Sequence, residues 1–138
     1  MNRPFAEIDH SGDIGIEAFG SNLAEMIENA TLGLFSLFCR GEVGRCVERE
    51  IQVRSSSAED LLVDWLGEVI STVGTYGELF SFVKIDCVGE WFARGVLGGE
   101  KTDPAKHDLR FDVKAVTYHR LSVETRDDGC RGRVIFDL

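Results

Sequence analysis

Hydrophobic positions recur along this chain in two rhythms. Residues 5–8 read as a short strand, and Ile14, Ile16 and Ala18 then alternate with Gly15 and Glu17, the period-two signature of a strand with one buried face. From Leu23 the step lengthens. Leu23, Met26, Ile27, Ala30, Leu34, Leu37 and Phe38 recur at three- and four-residue intervals, one stripe of an amphipathic helix. Ser21 stands as its expected N-cap, and Gly41 marks its end. Alternation returns over residues 46–54 through Val47, Ile51 and Val53. Ser57 and Asp60 then have capping-box spacing before a second helix. Leu61, Leu62, Trp65, Leu66, Val69, Ile70 and Val73 form its apolar stripe, Glu59, Asp60, Asp64 and Glu68 its polar side, and Gly74 and Gly77 lie around its end.

Beyond Leu79 the pattern is that of strands alone. The apolar phase switches between Phe82 and Val83, which predicts a β-bulge there. Residues 90–97 form another strand, and 98–108, polar and containing Pro104, read as a mobile loop. Three more strands are expected over 111–118, 121–125 and 133–138, with Asp127-Asp128-Gly129 as a hairpin turn before the last. The order β-β-α-β-α followed by strands predicts an α+β fold. It is a single two-layer domain over residues 1–138, an antiparallel-rich mixed β-sheet with both helices packed on one face.

Size and composition narrow the class. A chain of 138 residues with 43% hydrophobic and 28% charged residues suits one globular domain with a proper core. No apolar run approaches the roughly 20 residues that span a bilayer. The segment from Met1 to Phe5 lacks the apolar stretch of a signal peptide, so a cytoplasmic protein without a membrane role is expected. Fifteen Lys and Arg stand against 24 Asp and Glu, a net charge of −9, which repels polyanions and argues against strong direct nucleic-acid binding. The same charge suits a cation, a basic protein partner, or solubility alone. Cys39, Cys46, Cys87 and Cys130 show neither zinc nor redox spacing and are expected as buried free thiols.

Candidate chemistry gathers in three places. Asp9-His10-Ser11-Gly12-Asp13 crowds ionisable groups into a turn just before a strand, and Gly12 permits tight backbone there. Asp137-Leu138 closes the sequence on another strand, its last residue adding a free α-carboxylate. If the two ends meet, Asp13, Asp137 and Leu138 offer three oxygen-bearing groups of the kind hard cations take. The plainer alternative is a turn capped by Asp13 with His10 in a structural hydrogen bond. The third place is the strand of residues 113–119, where Lys114, Val116 and Tyr118 share one face. Thr117 and His119 lie on the other, read as facing the core. No P-loop, dinucleotide fingerprint, nucleophile elbow or H-E-x-x-H helix is present, which counts against a stand-alone enzyme.

Taken together, residues 10–16, 60–66, 114–119 and 134–138 resemble the archease family, in order and from one terminus to the other. Where the family usually reads His-Thr-Ala-Asp, this chain has His10-Ser11-Gly12-Asp13, so the ionisable residues are kept. The resemblance implies a non-catalytic accessory protein of the RtcB-type RNA ligase that splices tRNA. It would promote the ligase's metal-dependent guanylylation on histidine and its multiple turnover. It also implies a divalent metal site at Asp13, Asp137 and the Leu138 carboxylate, with Ca²⁺ expected and Mg²⁺ or Mn²⁺ as alternatives. His10, Asp64, Lys114, Thr117 and His119 are candidates for partner contacts. Two rival readings stand beside it, a chaperone-like modulator of a tRNA methyltransferase and a metal-dependent phosphoesterase using the same carboxylates.

Overall fold

Alternation and helical periodicity resolve into nine strands and two helices in the computed structural model, which describes residues 4–10 and 12–138, with only the backbone of His10 and Cys87. In chain order these are β1 (Phe5–His10), β2 (Asp13–Gly20), α1 (Leu23–Phe38), β3 (Cys39–Arg40), β4 (Val47–Arg54) and α2 (Ala58–Tyr76). Then follow β5 (Glu78–Gly89), β6 (Phe92–Lys101), β7 (Asp108–Leu109), β8 (Ala115–Arg126) and β9 (Gly129–Asp137). The α+β class and its antiparallel pairing are as the sequence predicts. The strands are divided, however, among a four-stranded sheet β1-β2-β9-β8, a three-stranded sheet β4-β6-β5 and the small pair β3-β7. The helices pack against strands of both larger sheets.

Each helix starts on a side-chain cap that satisfies N–H groups left without intrahelical partners. Asn22, rather than Ser21, caps α1: its side chain accepts from the Glu25 N–H, and the Ser21 N–H donates back to Glu25 Oε1 at 2.9 Å. Ser57 caps α2 and accepts from the Asp60 N–H at 3.1 Å. Gly77 ends α2 in the left-handed region at φ 62, a conformation without steric cost for glycine. The predicted end of α1 at Gly41 falls later than the observed one, because Cys39 and Arg40 leave the helix to pair with β7.

The stripes meet in one core. Met26, Ile27, Leu34 and Leu37 of α1 are fully buried, as are Leu61, Leu62, Trp65 and Leu66 of α2. The Trp65 indole N–H donates to Thr31 Oγ1 at 2.9 Å and ties the helices together. Helix α1 comes so close to β2 that a Cβ on Gly33 would lie 2.8 Å from Ile16 Cγ2. Along the open edge of β5, Glu28 of α1 accepts from the Ile85 N–H at 2.7 Å and covers part of that edge.

Several expectations are corrected. Register shifts in β5 lie between Phe80 and Phe82 and between Ile85 and Cys87, not at Phe82 and Val83. The second half of the chain makes two long strands, β8 and β9, where the pattern predicts three shorter ones. Cys39 and Cys130 are buried free thiols as expected, but Cys46 is exposed, and the Cys87 side chain lies outside the described residues. Most consequential, residues 98–108 are no loose loop. Residues 98–101 belong to β6, and the chain then turns tightly so that the His107 N–H donates to the Asp103 carbonyl at 2.7 Å.

Candidate functional site

The four-stranded sheet brings the two ends of the sequence together. Strand β2 pairs antiparallel with β9, with Ile14 opposite Phe136 and Gly15 opposite Ile135. One step beyond that first pair come Asp13 and Asp137, so these residues follow side by side at the same end of neighbouring strands. Ile14 and Phe136 are buried, and strand alternation turns Asp13 and Asp137 away from that face, where both are exposed. His10 stands opposite Asp13 on β1, and Ala115 opposite Asp137 on β8. The Lys114 N–H donates to the Asp137 carbonyl at 2.8 Å and fixes β8 against this tip. Leu138 follows directly and is exposed. The expected hydrogen bond of the His10 side chain lies outside the described residues, as does Ser11.

The donor set at this tip is made of carboxylate oxygens without thiolate, the chemistry that hard cations accept. The two carboxylates have no hydrogen-bond or ion-pair partner among the described residues, so neither is already committed to a structural role there. Among the described residues, no group of three or more His, Cys, Asp and Glu side chains could hold a metal ion. The set therefore fits a hard cation in donor type, and among the described residues further donors would be main-chain or solvent oxygens.

The remaining candidates separate along β8. Lys114 and Asp64 line one open groove of about 580 Å³, together with Arg54, Gly67, Glu68 and Val116. Asp64 also accepts from Ser55 Oγ at 2.5 Å. Thr117 and His119 are not on the core side. Helix α2 covers the other face, where Val116 packs on the core and the Tyr118 hydroxyl donates to Asp60 at 3.1 Å. Thr117 instead donates to the Ile135 carbonyl at 2.9 Å, a structural bond across the sheet. His119 is exposed within a bulge, where the register shifts between Thr117 and Ser122 and Arg120 takes φ 54. The Asp60 carboxylate that accepts from Tyr118 holds its phenol above the ordinary value of 10.0, with desolvation and the Asp64 charge adding to the effect.

Sequence reasoning misses a second polar cluster. Glu100, only 8% exposed, takes Lys106 Nζ at 2.6 Å on one oxygen. The other oxygen faces His107 Nε2 at 3.0 Å and accepts from the Gly44 N–H. His107 Nδ1 in turn accepts from the Asp103 N–H at 3.0 Å. Lys106, then the Gly44 N–H and His107, pull the Glu100 pKa from 4.5 down to about 2. Every member is engaged, so the cluster pins the segment after β6 and leaves no group free for chemistry. Its sequence signal, Glu100, Lys106 and His107 at close spacing, reads equally well as solvated polar residues.

Comparisons with known proteins agree with one another. The model of the Archease protein family (MTH1598/TM1083) matches residues 5–138. Among curated relatives, the "Protein archease" of Methanosarcina acetivorans is 31% identical over 143 aligned positions, covering 100% of this chain and 98% of its own. That of Pyrococcus furiosus is 34% identical over 131 positions, with 92% of each chain covered. The solution structure of Methanobacterium thermoautotrophicum protein 1598 superposes with a TM-score of 0.80 at 33% identity, covering 98% of this chain and 99% of that one. A Thermotoga maritima crystal structure described as an archease, possible chaperone, shares the fold at a TM-score of 0.68 and 22% identity, with 100% and 98% of the chains covered.

Proposed function

The chain belongs to the archease family, and from that premise we propose that it is a non-catalytic accessory protein of the RtcB-type RNA ligase of tRNA splicing. In this reading it promotes metal-dependent guanylylation of the ligase and its multiple turnover. The observation that supports it is the strand register that sets Asp13 and Asp137 side by side, exposed and unpaired among the described residues. Asp13, Asp137 and the main-chain carboxyl of Leu138 would hold a divalent cation, Ca²⁺ first and Mg²⁺ or Mn²⁺ as alternatives. Such an ion supplies positive charge to phosphate oxygens at a nucleotide-transfer site.

The chain's own residues do the placing. The β1-β2-β9-β8 sheet is a firm platform for the tip, because β2 and β9 pair continuously from Ile14 to Gly20. Lys114 holds β8 to the Asp137 carbonyl and keeps that corner closed. The net charge of −9 draws the tip toward a basic RNA-binding cleft and speeds encounter more than it tightens the complex. The test is ligase guanylylation with wild-type protein, Asp13→Ala and Asp137→Ala. Loss of stimulation in both variants is expected, and equal stimulation by all three proteins would sink the proposal.

A second reading is favoured by the description of the Thermotoga maritima relative as a possible chaperone. Here the protein modulates a tRNA methyltransferase, and co-purification of that enzyme with no effect on ligation would select it.

A further inference from the structure

We infer that Gly15 and Ile135 are positioning residues of the Asp13–Asp137 tip, packed together so that the two carboxylates stand at a set separation. The inference rests on the cation-site reading for its use and on packing for its geometry. Gly15 and Ile135 are register partners on β2 and β9, with Ile8 opposite Gly15 on β1 and Thr117 opposite Ile135 on β8. Strand alternation puts Gly15 on the same face as Asp13, two residues away, and Ile135 on the same face as Asp137, also two residues away. The helices lie on the opposite face, where Ile14, Ile16, Val134 and Phe136 join the core.

The face of an antiparallel sheet that no helix covers is ordinarily wet. Ile135 is instead only 1% exposed, although it stands outside the core cluster. The reason lies at Gly15. A Cβ there would come within 2.6 Å of Ile135 Cδ1, so the isoleucine fills the space that another side chain would take. The same Cβ would lie 2.6 Å from the Val134 carbonyl oxygen. Turning the Ile135 side chain would relieve the first contact. The second is with main chain, so a larger residue has to push β2 away from β9. Strand β9 is held from its other side, where Thr117 Oγ1 donates to the Ile135 carbonyl at 2.9 Å. The next pair along this face, Glu17 and Arg133, is joined by an ion pair at 3.7 Å, which closes the lock on the side away from the tip. Glycine within a strand lets a second backbone approach closely, and here the approach sets the two aspartates. Metal–oxygen distances tolerate deviations of only about 0.2 Å, so opening this pair must reach the cation.

The separation is read without any cation by disulfide trapping. Asp13→Cys with Asp137→Cys is oxidised by glutathione disulfide, and peptide mass mapping distinguishes the cross-link from pairings of the four native cysteines. With Gly15 in place the cross-link is expected to form. Adding Gly15→Ala should lower its yield severalfold, because a disulfide needs its two Cα atoms within a narrow range of about 4.4–6.8 Å. On the otherwise native chain, Gly15→Ala should weaken cation binding in calorimetry by about tenfold. Ile135→Val, which removes Cδ1 and stays apolar, should lower both readouts by less. Gly95→Ala is the control for lost stability alone: its Cβ would meet the Lys84 carbonyl oxygen across the other large sheet, and neither readout should change. Circular dichroism checks that each variant is folded. Cross-linking and affinity unchanged in Gly15→Ala, or in Ile135→Val where Gly15→Ala does not fold, would overturn the inference, as would equal losses in Gly95→Ala. Wild type that binds no cation, with the cross-link still dependent on Gly15, would refute the cation reading and support the positioning role.

Discussion

Glu100 and Asp13 are carboxylates near the ends of β-strands, and the chain treats them oppositely. Both Glu100 oxygens are engaged, by Lys106 on one side and by His107 and the Gly44 N–H on the other. Asp13 and Asp137 are exposed and have no partner among the described residues. A carboxylate sunk among donors is held in its charged form and ties down the backbone around it. A pair of carboxylates set side by side at a sheet end repel each other and contribute nothing to the fold. In the proposed reading, stability and function are thus kept apart in this molecule. The Glu100 cluster holds the segment between β6 and β7, and the tip carboxylates are left exposed.

Removing the Glu100 side chain should erase one half of that division. Glu100→Ala would leave His107 buried and the Gly44 N–H without its acceptor, a large cost for a network that is otherwise satisfied. A larger fall in melting temperature is expected than Lys106→Met or either tip variant shows, with cation binding per folded molecule unchanged. Lys106→Met removes a partner whose own side chain is mostly exposed, and a smaller fall is expected.

Acid acts on the same two regions unequally. The Glu100 pKa is lowered from 4.5 to about 2, so over that window the unfolded chain binds the extra proton and the folded one does not. The stability contributed is fully present above pH 4.5 and is lost as pH falls toward about 2. Thermal melts across that interval should show a decline in wild type that is shallower in Glu100→Gln. At the tip the expected effect is the smallest. Asp13→Asn and Asp137→Asn should each change unfolding free energy by no more than about 0.5 kcal/mol in the absence of divalent ions.

How much of this is legible in the sequence depends on what makes each pattern. Helix α2 reads well because capping by Ser57, the apolar stripe and Gly77 all agree. The cap of α1 is misplaced by one residue because Ser21 and Asn22 are both good caps, and only the structure shows which side chain reaches the Glu25 N–H. The turn after β6 misleads for a deeper reason. Polarity at Glu100, Lys106 and His107 signals water when side chains face outward, but here these groups satisfy one another. The single expected sheet becomes two larger sheets and a small pair because strand alternation reports burial, not partner choice. The face of β8 is inverted for the same reason: Val116 and Thr117 are both half-buried, and period two alone does not say which side α2 covers. The tip is the reverse case. Asp13 and Asp137 lie far apart in sequence; acidic residues at both ends suggest that they meet, the family resemblance implies it, and the β2–β9 register sets them side by side.

If the tip carboxylates are unpaired because they serve a cation, the protein should bind one through them. Isothermal titration of Ca²⁺ into wild type, Asp13→Asn, Asp137→Asn and Glu100→Gln, repeated with Mg²⁺ and Mn²⁺, measures this. Saturable binding of at least one ion in wild type and Glu100→Gln, abolished in both tip variants, is the predicted result. Binding that survives in Asp13→Asn and Asp137→Asn, or no binding of any of the three ions by wild type, would show that the tip is not a cation site.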